Sequence, residues 1–366
     1  MLAEPAAAMG IPLRLLAEDH GVSAAQVIPD QLVGDYRDLA TLEEVTSGCA
    51  VVTFDHEHVP TAHLHALEAT GLAVRPGPQA LVHAQDKGVM RERLSALGVP
   101  CPRWALVDDA AAAEEFGFPC VLKTTRGGYD GKGVWVVRSL EECTEAFDTA
   151  ARGGVRILAE ELVDFRRELS ALVARSPSGQ VAAWPVVASV QRDGICAEVI
   201  APAPDLAEPL AVQAQEIAMR VAGELGVVGV LAVELFETRD GRVLVNELAM
   251  RPHNTGHWSQ DGAVTSQFEN HLRAVLDLPL GAPDARERWT VMVNILPVTG
   301  ASRLYDAYPH ALARDPRLRV HLYGKGLRPG RKVGHVNAFG DDLEDCLERA
   351  RHAASWFAGE LGEDSE

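Results

Sequence analysis

Residues 120–137 read CVLKTTRGGYDGKGVWVV, and this stretch decides the fold class of the chain. Its two apolar ends predict strands at Cys120–Thr124 and Val134–Val137. The loop between them has glycine at 127, 128, 131 and 133, so its backbone can approach a ligand closely. The amides of such a loop suit a polyphosphate, although a flexible hairpin tip is the alternative interpretation.

The loop is neither of the two common nucleotide-binding loops. A P-loop needs glycine where Arg126 stands and a Ser or Thr after its lysine, and no such residue follows Lys132. A dinucleotide-binding turn needs a helix after it, whereas a strand follows here. The loop is therefore predicted to cover phosphates from between two strands.

Lysine is rare in this chain, which has 34 basic residues of which only Lys87, Lys123, Lys132, Lys325 and Lys332 are lysine. A retained lysine can mark a place where a compact ammonium is needed and a planar guanidinium will not serve. Two of the five flank the glycine loop, which favours an anion site there. Lys87 is left without an assigned role.

A second motif, LAVELFETRDGRVLVNEL at 231–248, contains Asp240-Gly241, a strong hairpin signal. Pairing Arg239 with Arg242 across a two-residue turn places Glu234 directly opposite Glu247. Like charges so placed repel unless something lies between them, and Mg²⁺ carrying phosphates fits best. Asn246 adjoins the pair. Two solvated glutamates on an edge, or a slipped register, are the alternatives.

The third motif is basic. Between Arg314 and His335 there are seven Arg or Lys residues and one acid, a net charge of +6 in a chain of −18, so the remainder carries −24. The string YGKGLRPGRKVGH within it, with Lys325 and Lys332, indicates a phosphate or carboxylate pocket. A solvated basic surface is the alternative.

Composition bounds the remaining possibilities. The 366 residues suggest two or three domains, and 47% hydrophobic residues are ample for packed cores. A net charge of −18 argues against a general nucleic-acid binder. Neither a membrane-spanning stretch nor a secretory signal is visible. Six scattered cysteines without a CxxC pair indicate a cytoplasmic, reduced protein.

The coarse pattern is α/β and α+β. Near the start, alternating elements are typical of a dinucleotide-fold sheet, but such sheets open with a strand and a glycine turn, whereas this chain opens on the helix that should follow. We therefore expect a late start rather than a loss. Further along, the pattern predicts one helical segment up to Leu97. The other predicted elements are helices at Leu2–Met9, Asp38–Glu44, Leu140–Ala150, Gln213–Leu225 and Gln267–Leu276, and strands at Ile11–Leu16, Ala50–Phe54, Trp104–Val107, Ile157–Glu161, Glu168–Ala174 and Gln180–Val187.

Together these residues resemble an ATP-grasp enzyme, in which two subdomains close around MgATP. The strings KTTRGGYDGKG, NELAMRPHNTGHW, SQFENHLRAVLDLPL and YGKGLRPGRKVGH are similar to N5-carboxyaminoimidazole ribonucleotide synthases over essentially the whole chain. The resemblance implies a truncated Rossmann-like pre-ATP-grasp domain at 1–76 and an ATP-grasp domain at 77–289 with a lid near 104–162. It also implies a small, β-rich closing domain at 290–366 with an acidic tail.

The resemblance also implies roles for individual residues. For the nucleotide they are Lys123, Gly128, Tyr129, Asp130, Gly131, Lys132, Gly133, Val134, Glu160, Glu161, Leu162, Val163, Glu168, Gln191, Asn246 and Glu247, with His83 where an arginine is common. The Mg²⁺ ligands are Glu234 and Glu247. For aminoimidazole ribonucleotide they are Glu57, Tyr129, Asp130, Lys132, Lys325, Arg331 and Lys332. Bicarbonate is positioned by Arg251, His253 and Lys325, and Asp130 handles the amine proton.

The implied reaction is ATP-dependent carboxylation of the ribonucleotide by bicarbonate through carboxyphosphate, by a cytoplasmic homodimer. Replacing Asp130 by Asn would then spare ATP binding and abolish carboxylation. Two alternatives stay open. One is another ATP-grasp ligase such as a formate-dependent transformylase, and the other is a non-catalytic nucleotide-binding remnant.

Overall fold

The structure is a computed structural model that describes residues 1–128, 131–298 and 304–361. The predicted site residues Tyr129 and Asp130 lie outside these ranges. All six cysteines are free thiols. Within the described ranges, no helix is both long and apolar enough to cross a membrane.

The N-terminal part alternates short helices and strands. Asp38, predicted as the first residue of the second helix, instead caps it with its carboxylate, so the helix begins at Leu39. The first strand covers only the end of the predicted Ile11–Leu16, because the residues before it make no ladder. The elements are α1 (Ala3–Ala8), β1 (Leu15–Ala17), β2 (Gln31–Val33), α2 (Leu39–Thr46), β3 (Val51–Val52), α3 (Thr61–Ala69) and β4 (Ala73–Val74). β1 pairs in parallel with β2, and β3 with β4.

Two helices follow, α4 (Pro78–Gln85) and α5 (Lys87–Ala96), where the sequence predicts one segment. The break is at Asp86, whose backbone is extended and whose carboxylate accepts hydrogen bonds from the amides of Gly88 and Val89. Asp86 thus caps α5, and the prediction of one helix was wrong because a good N-cap residue inside an amphipathic run was overlooked.

The lid is a four-stranded sheet with two helices and its own apolar core. Its strands match the predicted bounds, whereas α7 begins four residues later than predicted because a 3₁₀ turn, Glu141–Cys143, precedes it. The elements are β5 (Trp104–Val107), α6 (Ala110–Phe116), β6 (Cys120–Thr124), β7 (Val134–Val137), α7 (Thr144–Gly153) and β8 (Ile157–Glu161), in the sheet order β5-β8-β6-β7.

The rest of the chain forms one nine-stranded sheet, ordered β14-β13-β9-β11-β12-β15-β17-β16 with β10 also on β9. Because β12 pairs with β15, the strands after residue 289 extend this sheet. The predicted strand Gln180–Val187 is two strands, separated at Pro185, which cannot donate to a ladder. The elements are β9 (Phe165–Arg175), β10 (Val181–Ala183), β11 (Val187–Arg192), β12 (Ile195–Ala201), α8 (Glu208–Glu224), β13 (Gly229–Thr238), β14 (Val243–Ala249), α9 (Ser259–Gly262), α10 (Gln267–Val275), β15 (Trp289–Ile295), α11 (Tyr308–Arg314), β16 (Arg319–Leu322), β17 (Gly334–Gly340) and α12 (Leu343–Ala358).

Candidate active site

A cavity of about 1820 Å³ lies between the lid, the large sheet and the N-terminal strands. It brings together most of the residues that the sequence analysis selected. Those that line it are Glu57, Lys123, Gly128, Gly131, Val134, Glu160, Glu161, Leu162, Val163, Glu168, Gln191, Glu234, Asn246, Glu247, Arg251, His253, Lys325 and Lys332.

Four of the selected residues are described by the structure but are absent from the cavity lining: His83, Lys132, Gly133 and Arg331. His83 lies on α4, where its Nδ1 contacts the Ala80 carbonyl oxygen of the same helix at 3.1 Å. Burial lowers the pKa of His83. The described contact of His83 is therefore within its own helix and not with the cavity.

The rare lysines concentrate in the cavity. Four of the five line it, whereas Arg14, Arg126 and Arg251 are the only arginines in the lining among the residues that the structure describes. Lys132, the fifth lysine, lies between Gly131 and Gly133 in the glycine loop. The few positions at which this chain has lysine rather than arginine are therefore concentrated at this cavity.

The glycine loop follows β6 and is built so that only glycine fits. Gly133 has φ of +71°, and a Cβ there would lie 2.6 Å from Oγ1 of Thr124. A Cβ on Gly128, with φ of +86°, would lie 2.5 Å from the Lys132 carbonyl oxygen. The start and end of the loop therefore lie so close together that a side chain at either position would force them apart.

Lys123 is a buried cation near the end of the lid strand β6. Its Nζ lies 2.7 Å from Oε2 of Glu160 and donates to Oδ1 of Asn246 at 2.9 Å. Burial alone would raise the pKa of Glu160, but Lys123 and Arg91 together hold it below its ordinary value. The Glu160 carboxylate is thus ionised and committed to these two cations.

Arg91 was missed by the sequence analysis. It lies on α5, is 0% exposed, and donates from Nε to Glu160 and from Nη2 to the Asn246 carbonyl oxygen at 2.7 Å. One turn earlier on the same helix, Lys87 places its Nζ 3.5 Å from Oε1 of Glu247. A signal was present, because i and i+4 cations lie on one helix face, but the helix was not recognised as a wall of the site.

Glu234 and Glu247 are paired directly across β13 and β14, as predicted. The turn was predicted wrongly, however. The Thr238 amide N–H donates a hydrogen bond to the Arg242 carbonyl oxygen. The loop therefore has three residues, Arg239 to Gly241, and not two. A bulge that leaves Asn246 unpaired then restores the opposition of the two glutamates. The positive φ of Gly241, +80°, suits the last position of such a loop.

Each of these glutamates has a cationic or hydrogen-bonding partner. His253 Nδ1 accepts from the Thr255 amide, so its Nε2 carries the proton that faces Oε1 of Glu234 at 3.1 Å. Burial would raise the pKa of Glu234, and the hydrogen bond from His253 lowers it below its ordinary value. Glu234 is therefore held in its ionised form.

Two carboxylates and phosphate oxygens make a suitable donor set for Mg²⁺, which uses few protein ligands. Across the residues that the structure describes, no group of three or more His, Cys, Asp or Glu side chains could hold a metal ion alone. A metal between Glu234 and Glu247 would therefore take its remaining oxygen ligands from a bound nucleotide or from water.

The other end of the cavity has a carboxylate with a spare acceptor. Oε2 of Glu57 lies 2.8 Å from Nε of Arg251, while its buried Oε1 has no partner among the described residues. Lys325 also lines the cavity, with its Nζ 5.2 Å from the centre of the Tyr323 ring. Next to these cations, Arg331 donates to the Gly326 carbonyl oxygen at 3.3 Å.

Below the lid the lining becomes apolar. Val121 and Val136 face it from the lid, and the ring of Phe236 stacks on Phe165 with centroids 4.9 Å apart. The sequence analysis missed these four residues, because apolar residues on strands are usually core. Glu168 lies nearby, and burial, assisted by Glu234, raises its pKa to about 7. An apolar slot with one polar end suits a nucleoside.

Comparison with known proteins gives consistent results along the chain. Family profiles match at residues 1–85 (ribonucleotide synthetase preATP-grasp domain), 92–268 (ATP-grasp domain) and 290–349 (phosphoribosylaminoimidazole carboxylase C-terminal domain). An N5-carboxyaminoimidazole ribonucleotide synthase of Mycobacterium tuberculosis is 55% identical over 98% of this chain and 85% of its own length.

Two solved structures are similar in fold. A synthetase of the same name from Thermus thermophilus matches with a TM-score of 0.86 at 38% identity, over 99% of this chain and 96% of that one. A synthase from Aspergillus clavatus, in complex with ADP and 5-aminoimidazole ribonucleotide, matches with a TM-score of 0.88 at 29% identity, over 98% and 95%.

Proposed function

This chain belongs to the family of N5-carboxyaminoimidazole ribonucleotide synthases, and from that premise we propose how its cavity performs their reaction. The chain is an ATP-dependent ligase that joins the carbon of bicarbonate to the amine of 5-aminoimidazole ribonucleotide in purine biosynthesis. Bicarbonate is a poor electrophile, so it must first take the γ-phosphoryl group of ATP. The carboxyphosphate then releases CO₂ and phosphate, and the amine attacks CO₂ and loses a proton.

The nucleotide lies between the lid and the large sheet. Lys123 and the glycine loop, including Gly128, Gly131, Gly133 and Val134, hold the phosphates. Adenine lies in the apolar slot beside Val121, Val136 and Phe236, with the 161–163 segment along its edge. Glu168 and Gln191 receive the ribose hydroxyls, because both are polar lining residues and their side chains are hydrogen-bonded to each other.

Glu234 and Glu247 are the Mg²⁺ ligands in this proposal. When bound, Mg²⁺ neutralises phosphate charge and orients the γ-phosphoryl group. The protein's own task is to hold both carboxylates so that they face each other. His253 does this for Glu234 and Lys87 for Glu247, at the distances given above.

Bicarbonate is held by the donors beyond the carboxylate pair, Arg251, His253 and Lys325. Arg251 and Lys325 compensate its charge and that of the developing carboxyphosphate, so the attacking oxygen stays aligned with the phosphoryl group. Because Arg251 is itself held by Glu57, its guanidinium has a fixed orientation.

The ribonucleotide lies at the remaining end. Oε1 of Glu57, for which the described part of the chain supplies no partner, is suited to accept a hydrogen bond from an amine N–H. Lys325, Arg331 and Lys332 compensate the charge of its phosphate. Tyr129, Asp130 and Lys132 keep the roles that the resemblance implies, with Asp130 accepting or orienting the amine proton.

The observation that supports this proposal best is the direct opposition of Glu234 and Glu247 beside Lys123 and Lys87. ADP release, measured with and without aminoimidazole ribonucleotide and bicarbonate, tests it. Release that needs both substrates supports the ligase. Release with formate and glycinamide ribonucleotide instead supports the transformylase alternative, and ATP binding without turnover supports the remnant.

We also propose, on the family resemblance alone, that the chain acts in the cytoplasm as a homodimer. Sedimentation equilibrium at micromolar concentration tests the assembly, and a single species of monomer mass would contradict it. Aminoimidazole ribonucleotide, bicarbonate and ATP are its proposed small-molecule partners, and we expect neither nucleic acid nor membrane among them.

A further inference from the structure

Arg91 is a fully buried cation that no step of the reaction above uses. Its position on α5 faces three other elements: β8 through Glu160, β14 through Asn246, and the loop before β5 through Cys101, whose Sγ lies 3.8 Å from Nη1. A buried guanidinium is costly unless it is fully paired, so its presence here needs a reason.

The first reason lies in the bulge of β14. A bulged residue loses its ladder partners, and the Asn246 carbonyl oxygen is the group left over. Arg91 donates to that oxygen at 2.7 Å. The next residue is Glu247, which the bulge turns toward Glu234. Arg91 therefore stabilises the backbone irregularity that aligns the two carboxylates.

The second reason is charge. Arg91, Glu160 and Lys123 form a line of three ionised groups with a net charge of +1. Arg91 is 0% exposed and Lys123 is 7% exposed, so the excess positive charge lies at the end nearer the cavity. If Arg91 were neutral, Glu160 would be neutralised by Lys123 alone, and the line would offer no net charge to a phosphate.

We propose that Arg91 is a positioning residue. It compensates the negative charge of Glu160 from the protein side, so that Glu160 does not cancel the positive charge that Lys123 offers to the ATP phosphates. This inference rests on the proposed phosphate role of Lys123. It assigns Glu160 a different task from the nucleotide contact that the resemblance implies, namely to hold Lys123 in place.

The test is the dissociation constant of MgATP, measured by calorimetry without bicarbonate or ribonucleotide. Arg91→Met removes one positive charge, and we expect MgATP to bind about tenfold more weakly. Adding Glu160→Gln to that variant returns the net charge to +1, and we expect the affinity to recover to within about threefold of the original chain. The KM for aminoimidazole ribonucleotide should change less than about twofold in both variants.

A merely structural role would give another result, because the double variant still lacks both buried partners and the bond to Asn246. Equal weakening in the single and double variants overturns the inference, and so does unchanged affinity in Arg91→Met. If Arg91→Met does not fold, Arg91→Gln serves in its place, since it keeps a donor for the Asn246 oxygen but lacks the charge.

Two further variants complete the experiment. Arg93→Met is the matched control, because Arg93 lies on the same helix but faces Glu224, and it should bind MgATP like the original chain. Lys123→Met separates the two levels of the argument. If Lys123→Met leaves the MgATP affinity unchanged, the proposed phosphate role of Lys123 is wrong. If Lys123→Met weakens MgATP binding and Arg91→Met does not, the inference about Arg91 is wrong while the phosphate role of Lys123 stands.

Discussion

Nζ of Lys87 lies 3.5 Å from Oε1 of Glu247, across the boundary between α5 and the edge strand of the large sheet. This pair joins the helix that carries Arg91 to the hairpin that carries both proposed metal ligands. The only lysine without a role in the sequence analysis is thereby part of the site. A lysine that contacts a metal-binding carboxylate orients it and adds positive charge for the nucleotide.

Replacing Lys87 by Met is expected to raise the KM for ATP about tenfold, because a cation beside the phosphate site is lost. Lys87→Arg keeps the charge and should lose less than about threefold. Steady-state kinetics at saturating bicarbonate and ribonucleotide measure both. A Lys87→Met enzyme with an unaltered KM for ATP would contradict this role.

Replacing Gly133 by Ala is expected to weaken MgATP binding by about tenfold or more, since its Cβ would collide with Thr124 Oγ1. Gly127→Ala is the matched control, with a similar positive φ of +66° but open space around the Cβ. Adding Thr124→Ala to Gly133→Ala removes the colliding atom and should recover part of the affinity. If both single alanine variants bind equally well, the collision has no consequence.

Replacing Glu234 or Glu247 by Gln is expected to lower kcat on the order of 100-fold and to shift the Mg²⁺ activation curve to higher concentration. The neutral amide keeps the shape but is a poorer ligand for a hard cation. Glu224→Gln, at an exposed position, provides a control. An unshifted Mg²⁺ curve in both variants would argue against a metal between these residues.

His271 is expected to make stability depend on pH. It is fully buried, accepts from the Val230 amide and contacts Thr53 Oγ1, and burial lowers its pKa to about 4. A base with a lowered pKa in the folded state contributes stability that is present above pH 6.5 and is lost as pH falls toward 4. At pH 5 the loss should be about 2 kcal/mol.

The measurement is the fall in Tm between pH 7.5 and pH 5. His271→Gln can keep both hydrogen bonds without titrating, so its Tm should fall by a few degrees less than that of the original chain. The exposed His20→Gln should behave like the original chain. Equal falls in all three proteins would show that His271 does not contribute.

The glycine loop and the hairpin were predictable because their signals are local. Glycines between two apolar runs can form few structures, and the strand bounds of the lid follow directly. The opposition of Glu234 and Glu247 was also predicted, but through a register that holds only beyond the bulge. Two local deviations compensate each other: Arg239 joins the loop and Asn246 becomes the bulge.

What the sequence could not show depends on contacts between distant segments. The Arg91 guanidinium meets a carboxylate 69 residues away and a carbonyl oxygen 155 residues away, and nothing in its own helix predicts either partner. The slot formed by Val121, Val136 and Phe236 was invisible for a similar reason. Apolar strand residues have the same pattern whether they face a core or a ligand.

The continuous pairing from β14 to β16 has a consequence for how this enzyme can change over evolutionary time. The carboxylate pair and the basic turn after β16 are attached to one hydrogen-bonded frame, so altering their separation means rebuilding a sheet. The lid has a separate core and meets that frame through few polar contacts, among them Lys123 to Asn246. A change confined to the core of the lid can therefore be accommodated without altering the distance between the carboxylate pair and the basic turn.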